Sequence, residues 1–400
     1  MGFPDMRDSS KWFSLTLLVL AEAVGMNLWF TSAAVLPDMA REGTISLDRQ
    51  ALLSSSVQAG FVLGALIVSI SGLADRYDPR RVFAVSALMA AAVNLLLLLP
   101  PLGSDLAVAS RFLTGALLAG VYPVGMKLAV GWGLKDRGLL VGLLVGGLTL
   151  GKSMPYLAAY LGGTDWRLAI LAASLLAALG GLLVLGVGLG PHHATAPRFR
   201  PAAIVLAWRD TRIRRAYIGY LGHMWELYAM WAWVAAAAGA SYAARLDQAA
   251  AESLAKLTAF LAIALGGLAC ILAGRLADRH GKAEVAITAL VVSGSAAILS
   301  ALSFGGPVWL SLLLFLVWGL AVIPDSAQFS AIVADFAPPH LTGSLLAFQT
   351  ALGFGLTIAT VQLTPLAAGA LGWPATLALM AIGPIIGLIA MRPLCTTRSD

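Results

Sequence analysis

The chain has 400 residues, 59% of them hydrophobic and only 12% charged, with a formal net charge of +6. Soluble domains carry roughly 25% charged residues, so a water-soluble enzyme or a nucleic-acid-binding domain is excluded, and the mean hydropathy of +0.86 points to a bilayer as solvent. Two cysteines, Cys270 and Cys395, are too few for a disulfide framework or a thiolate metal centre.

In chain order, a polar start from Met1 to Lys11 leads into an apolar block from Trp12 to about Leu36. That block is too long for the apolar core of a signal peptide and reads as the first membrane helix. Further spans are expected over 51–73, 82–101, 106–132, 138–162 and 168–190, then 216–240, 254–274, 284–304, 308–333, 343–366 and 372–391. Each reaches the ~20 residues that cross a hydrocarbon core of about 30 Å. The stretch from Pro201 to Trp208, flanked by arginines, reads as a surface helix joining two halves. The expected organisation is therefore a six-helix bundle over 1–190, a linker over 191–215 and a second six-helix bundle over 216–400.

Basic residues sort by loop parity. Arg76, Arg80 and Arg81 follow the second span, Lys135 and Arg137 the fourth, and Arg275, Arg279 and Lys282 the eighth. Arg198, Arg200, Arg209, Arg212, Arg214 and Arg215 crowd the middle loop, whereas the opposite loops hold only Arg41, Arg49, Arg167, Arg245 and Lys256. The positive-inside rule places the middle loop and both termini in the cytoplasm, which requires an even number of spans and supports twelve.

The halves repeat. Gly72-Leu73-Ala74-Asp75-Arg76-Tyr77-Asp78-Pro79-Arg80-Arg81 returns as Gly274-Arg275-Leu276-Ala277-Asp278-Arg279-His280-Gly281-Lys282, the two aspartates 203 residues apart. Gly120-Val121-Tyr122-Pro123 matches Ala321-Val322-Ile323-Pro324, and Pro155-Tyr156-Leu157-Ala158-Ala159 matches Pro365-Leu366-Ala367-Ala368. Three matches in order imply a duplication, as in alternating-access transporters. The second loop resembles the G-x-L-A-D-R-x-G-[KR] signature of the major facilitator superfamily. The first departs from it, with Ser71 at the leading glycine and Asp78-Pro79 at the later one. Arg111-Phe112-Leu113-Thr114-Gly115 is similar to that superfamily's R-x-x-x-G element, and Gly219 to Tyr228 is similar to permeases of the cyanate or nitrate/nitrite type. The resemblance implies an all-α fold of twelve helices in two pseudo-symmetric bundles, with spans 1, 4, 7 and 10 lining the cavity. It also implies that Asp75, Arg76, Arg80, Asp278, Arg279 and Lys282 form gating latches.

Ionisable groups inside spans are costly unless paired or hydrated, so they point to function. Lys152 stands midway along the glycine-rich fifth span, either holding an anionic solute or neutralising an acid such as Glu22. Arg111 is either a cavity charge for the same anion or a hinge lock, and Lys127 either serves the cavity or snorkels to the interface. His223 and Glu226, three residues apart on one helical face, form either a proton relay or a structural pair. Glu22 and Glu226 coincide when the halves are overlaid, and Asp325 joins them as a proton carrier. Tyr122, Tyr220, Trp225 and Tyr228 are expected to line the pocket with Lys152, Arg111 and His223, and Trp29 and Gln349 are candidates to complete it.

Gly151-Lys152-Ser153 lies mid-membrane with no preceding strand, so it is not a phosphate loop, and neither cofactor nor metal is expected. The reading is a non-enzymatic, proton-coupled carrier of a small anionic solute in a bacterial inner membrane. Its partners are solute, protons and lipid but no nucleic acid, and it is functional as a monomer. Spans 2 and 8 lack the arginine expected of a nitrate porter. The rival is a proton-driven exporter of amphipathic or cationic compounds, for which the fifth span lacks the usual Gly-Pro pair.

Overall fold

A computed structural model describes residues 6–43, 45–99, 101–133, 137–162, 165–192, 200–338 and 340–395. Lys135, Arg198 and Arg398 lie outside the described residues, and among those described there is no strand. The chain divides into two compact units, Met1–Thr44 with Ser56–Ala196, and Ile45–Ser55 with Pro197–Asp400. The second therefore takes the first turns of a helix that belongs mainly to the first.

In the first unit, α1 (Met6–Met26) tightens into a 3₁₀ turn, Asn27–Phe30, before α2 (Thr31–Glu42) continues the same apolar stretch. Then come α3 (Leu47–Ser71), α4 (Leu73–Arg76) and α5 (Pro79–Leu95). Gly72 enters α4 at φ 61°, a left-handed conformation that suits glycine. The two loop copies start their next helices differently. Asp78 caps α5 by accepting from the Arg80 N–H at 2.9 Å, with Pro79 in the first turn. The second copy uses Gly281 at φ 106° in the corresponding place. The departure from the signature is thus one capping device exchanged for another.

α6 (Asp105–Leu118) and α7 (Tyr122–Val130) share one apolar stretch broken just before Tyr122-Pro123, and α8 (Arg137–Leu161) and α9 (Trp166–Leu183) complete the unit. In α8 the glycines permit close approach to α1. A Cβ on Gly151 would lie 2.0 Å from the Ala23 carbonyl oxygen, and one on Gly147 2.8 Å from Val19. This four-residue spacing of small residues lets two membrane helices touch along their backbones. Gly151→Ala is expected to cost about 1–3 kcal/mol by overpacking, read as a lower melting temperature in detergent. An unchanged melting temperature would show that α1 and α8 have room to part.

The second unit opens with the short α10 (Ala202–Arg209), followed by α11 (Thr211–Tyr242), α12 (Gln248–His280) and α13 (Lys282–Leu302). α14 (Val308–Ala321) and α15 (Ser326–Phe336) are again one stretch, broken at Pro324-Asp325, in register with the break before α7. α16 (Thr342–Leu371), α17 (Trp373–Met380) and α18 (Ile382–Cys395) end the chain. Proline lacks the N–H that would continue the helical ladder, so both repeats interrupt the same helix at the same residue type.

Among the described residues eleven stretches are long and apolar enough to cross a membrane. α11 is not among them, although its 32 residues would extend about 48 Å at helical rise. Arg212, Arg214, Arg215, His223 and Glu226 make it polar. It packs against α18, α16, α12 and α15, so most of its faces meet protein rather than lipid and need not be apolar.

Candidate functional site

In the first unit the charged residues of α1 and α8 converge on the break in the first span. Close packing at Gly147 and Gly151 sets Lys152 over the 3₁₀ turn, where its ammonium sits 4.3 Å from the centre of the Trp29 ring. Trp29 packs edge-on against Phe61 of α3 at 4.9 Å, fixing the ring beneath the cation. Lys152, Glu22 and Trp29 are all buried. Glu22 is pressed against α7, since a Cβ on Gly125 would fall 2.3 Å from its Oε2. Among the described residues no hydrogen-bond donor reaches either Glu22 oxygen, and Lys152 is the cation that acts on it electrostatically. The ammonium thus makes a cation–π contact in a desolvated setting. Trp29 as its platform was suggested only as one of several polar or aromatic candidates.

Arg111 holds the backbone of the same 3₁₀ turn. Its Nη2 donates to the carbonyls of Leu28 (2.7 Å) and Trp29 (3.0 Å), its Nη1 to Asn94 Oδ1 (2.7 Å), and its Nε to Ser32 Oγ (3.1 Å). Asn94 in turn donates to Ser174 Oγ at 2.9 Å, and Asn27 to the Ala173 carbonyl at 3.1 Å. The 3₁₀ turn strands backbone carbonyls that have no water to turn to, and the planar guanidinium satisfies two of them at once. Four hydrogen bonds thus tie the guanidinium to protein groups around the turn. Tyr122 begins α7, half-buried, at the break in the fourth span.

In the second unit the helix break brings Asp325 to α11. Its Oδ1 lies 2.9 Å from Nδ1 of His223, with both side chains buried. Tyr220 and Phe329 flank the imidazole at centroid distances of 6.1 and 5.8 Å. Tyr220 also fills the space a side chain at Gly353 would need, a Cβ there falling 2.4 Å from its ring. One to two turns on, Tyr228 packs against Trp231 (5.6 Å) and Phe354 (5.3 Å). Gln349 is buried in α16 with neither amide end hydrogen-bonded among the described residues.

Two expected members of this group face other ways. Glu226 accepts from Ser293 Oγ at 2.6 Å and from Trp318 Nε1 at 3.0 Å, one bond on each oxygen, tying α11 to α13 and α14. Trp225 donates its indole N–H to the Leu379 carbonyl at 3.0 Å, toward α17 and away from His223. Ser293 and Trp318 left no sequence signal, because a serine and a tryptophan in a lipid-facing or packed helix are ordinary.

At the loop motifs, Asp75 pairs with Lys127 of α7, which also donates to the Ala74 carbonyl at 2.7 Å. Arg80 grips Asp78 with two donors and reaches the Val187 carbonyl at 3.2 Å. The Arg80 guanidinium holds the Asp78 carboxyl below the usual carboxylate range. In the second copy the pair is Lys282 with Asp335 of α15, at 2.5 Å, so loop and broken helix are joined again with the charges exchanged. Asp278 lines a cavity of about 410 Å³ beside Lys282, Glu284 and Asp335 but forms no ion pair among the described residues. Arg76 and Arg279 are exposed. No cluster of three or more potential metal ligands occurs among the described residues.

Comparison with known proteins follows the same lines. The family model of the Major Facilitator Superfamily matches residues 18–359. Over 166 residues, 38% of this chain, the sequence is 30% identical to a gallate transporter of Pseudomonas putida, and the match spans 36% of that transporter's length. A crystal structure of a mutant of the nucleoside transporter NupG superposes with a TM-score of 0.73, covering 95% of this chain and 99% of that one. At 13% identity this is a likeness of fold alone.

Proposed function

Because the chain belongs to the major facilitator superfamily, and is thus a multi-pass membrane transporter rather than an enzyme, we propose that it is a proton-coupled carrier of a small anionic solute. On this reading α11 is a twelfth crossing, both termini are cytoplasmic and the membrane is a bacterial inner membrane. The observation that carries the proposal is the buried Lys152 ammonium seated on the Trp29 ring. A mid-membrane cation is costly and is retained where it meets an anion. The resemblance to a transporter named for gallate, an aromatic carboxylate, favours a carboxylate as that anion. The Trp29 and Phe61 rings beside Lys152 suit a ring as well as a charge.

His223 and Asp325 are the proposed proton carriers, because they bring a buried imidazole nitrogen and a buried carboxylate oxygen to 2.9 Å. Glu22 and Glu226 were expected to share that work; Glu22 retains the role here, next to Lys152, while Glu226 serves packing. The second reading, export of cations, rests on the same Glu22, whose oxygens receive no donor. A thermal-shift screen of purified protein against small carboxylates and organic cations separates the two. Stabilisation by a carboxylate that disappears in Lys152→Ala supports the carrier of anions. Stabilisation by cations that disappears in Glu22→Gln supports the exporter.

The pairs Asp75–Lys127 and Lys282–Asp335 are proposed as latches that exist in one conformation of the transport cycle. Each is partly exposed, so each contributes about 0.2–1 kcal/mol, up to roughly fivefold in a conformational equilibrium. Asp75→Asn is expected to change transport rate by that factor with solute affinity unchanged. A pure loss of affinity would contradict the latch.

A further inference from the structure

α10 is built inside out. Ala203 and Ala207 are fully buried against the second unit, while Ile204, Val205 and Trp208 are 40%, 51% and 40% exposed. A helix on a soluble surface buries its large apolar residues and exposes its small ones. Here positions 204, 205, 208 and 209 share the outward face by helical spacing, so three large apolar side chains and Arg209 point away from the protein together. The helix is held firmly in that orientation. The Arg200 N–H donates to Ser344 Oγ at 2.9 Å, Arg214 donates to the Trp208 carbonyl at 3.0 Å, and Trp208 packs edge-on against Tyr217 at 6.2 Å.

The charge around this face is of one sign. Arg200 precedes the helix, Arg209 ends it, and Arg212 follows with its guanidinium 4.5 Å from the Phe336 ring. Within residues 200–215 the one acid is Asp210, which caps α11 through the N–H groups of Arg212 and Ile213 and lies 3.9 Å from the Arg212 guanidinium. An apolar patch bearing a tryptophan and rimmed by arginines matches the boundary between acyl chains and anionic headgroups.

We propose that α10 and its flanking arginines form a binding surface for anionic phospholipid, with Ile204, Val205 and Trp208 among the acyl chains and Arg200 and Arg209 on the phosphates. This surface is independent of the solute site and of the direction of transport. The commitment to lipid over a free phosphate follows from the exposed Ile204 and Val205, which contribute nothing to an inorganic anion.

The test uses the full-length protein in mild detergent. Native mass spectrometry in equal phosphatidylglycerol and phosphatidylcholine of the same chain length is expected to show roughly tenfold or greater preference for phosphatidylglycerol. Thermal unfolding with each lipid should show the same preference, weakened by salt. In Arg200→Gln/Arg209→Gln the preference should fall at least severalfold, and in Arg200→Lys/Arg209→Lys it should persist. Trp208→Ala should weaken stabilisation by both lipids. Equal retention of the two lipids by the wild-type protein would overturn the proposal, even if the glutamine variant failed to fold. So would a preference kept in full by that variant, or stabilisation reproduced by glycerol phosphate alone.

Discussion

Lys152→Ala is expected to lower solute uptake into proteoliposomes by about 10- to 150-fold, the cost of one charge-assisted contact of roughly 1.5–3 kcal/mol. The side chain is buried over Trp29, where water cannot take over its role. The same substitution also removes the cation that acts electrostatically on Glu22, a carboxylate that receives no hydrogen bond among the described residues. Loss of flux alone therefore does not separate solute binding from support of Glu22. The second variant does. Lys152→Met is expected to lower the melting temperature, because one member of a buried pair is left behind. Adding Glu22→Gln should restore much of that stability while uptake stays lost. Recovery of uptake in the double variant would make Lys152 a counter-ion only. Lys152→Arg is also expected to fail, since the Lys152 side chain is buried over Trp29 and a longer, planar guanidinium does not reproduce a compact ammonium there.

The reason Lys152 was legible in the sequence is that a charge midway along an apolar span has few structural explanations. Arg111 carried the same signal, and the signal does not tell a cavity from a clamp. Its partners are the carbonyls of Leu28 and Trp29, freed by a 3₁₀ turn that no proline marks. Lys127 shows the converse. Near a helix end it read equally well as a snorkelling residue, and its pairing with Asp75 depends on where α4 folds after Gly72. Trp225 and His223 are two residues apart in an aromatic helix, and which face meets α17 is decided by packing at Gly222 and Gly383 rather than by residue type. The repeat was the most reliable guide. It paired Tyr122-Pro123 with Ile323-Pro324, and both lie at helix breaks, where α7 begins and between α14 and α15. It also overstated the likeness. The first span breaks at Asn27–Phe30, whereas α11 runs unbroken through the equivalent positions, so the 3₁₀ turn under Lys152 has no twin in the second unit.

Asp325→Asn and Glu226→Gln are expected to separate proton coupling from packing. Among the described residues Asp325 has its ion-pair contact with His223 and also acts electrostatically on Glu226, and asparagine keeps its size while removing its charge. Accumulation driven by a pH gradient should be lost, and exchange of labelled solute across equal pH should continue, because exchange needs solute binding but no net proton movement. His223→Gln should behave alike, and in the double variant the two losses should not add, since both residues belong to one relay. Glu226→Gln should differ in kind. Each carboxylate oxygen accepts one hydrogen bond, from Ser293 and from Trp318. An amide offers one oxygen and one N–H₂, so one donor is left facing another. The indole N–H cannot turn into an acceptor, whereas the serine hydroxyl can, which directs the amide nitrogen toward Ser293. The cost is then about 1–3 kcal/mol at most, seen as a lower melting temperature with gradient-driven accumulation retained per folded molecule. Full accumulation in Asp325→Asn, or uncoupled exchange in Glu226→Gln, would move the relay from the helix break to the carboxylate between α13 and α14.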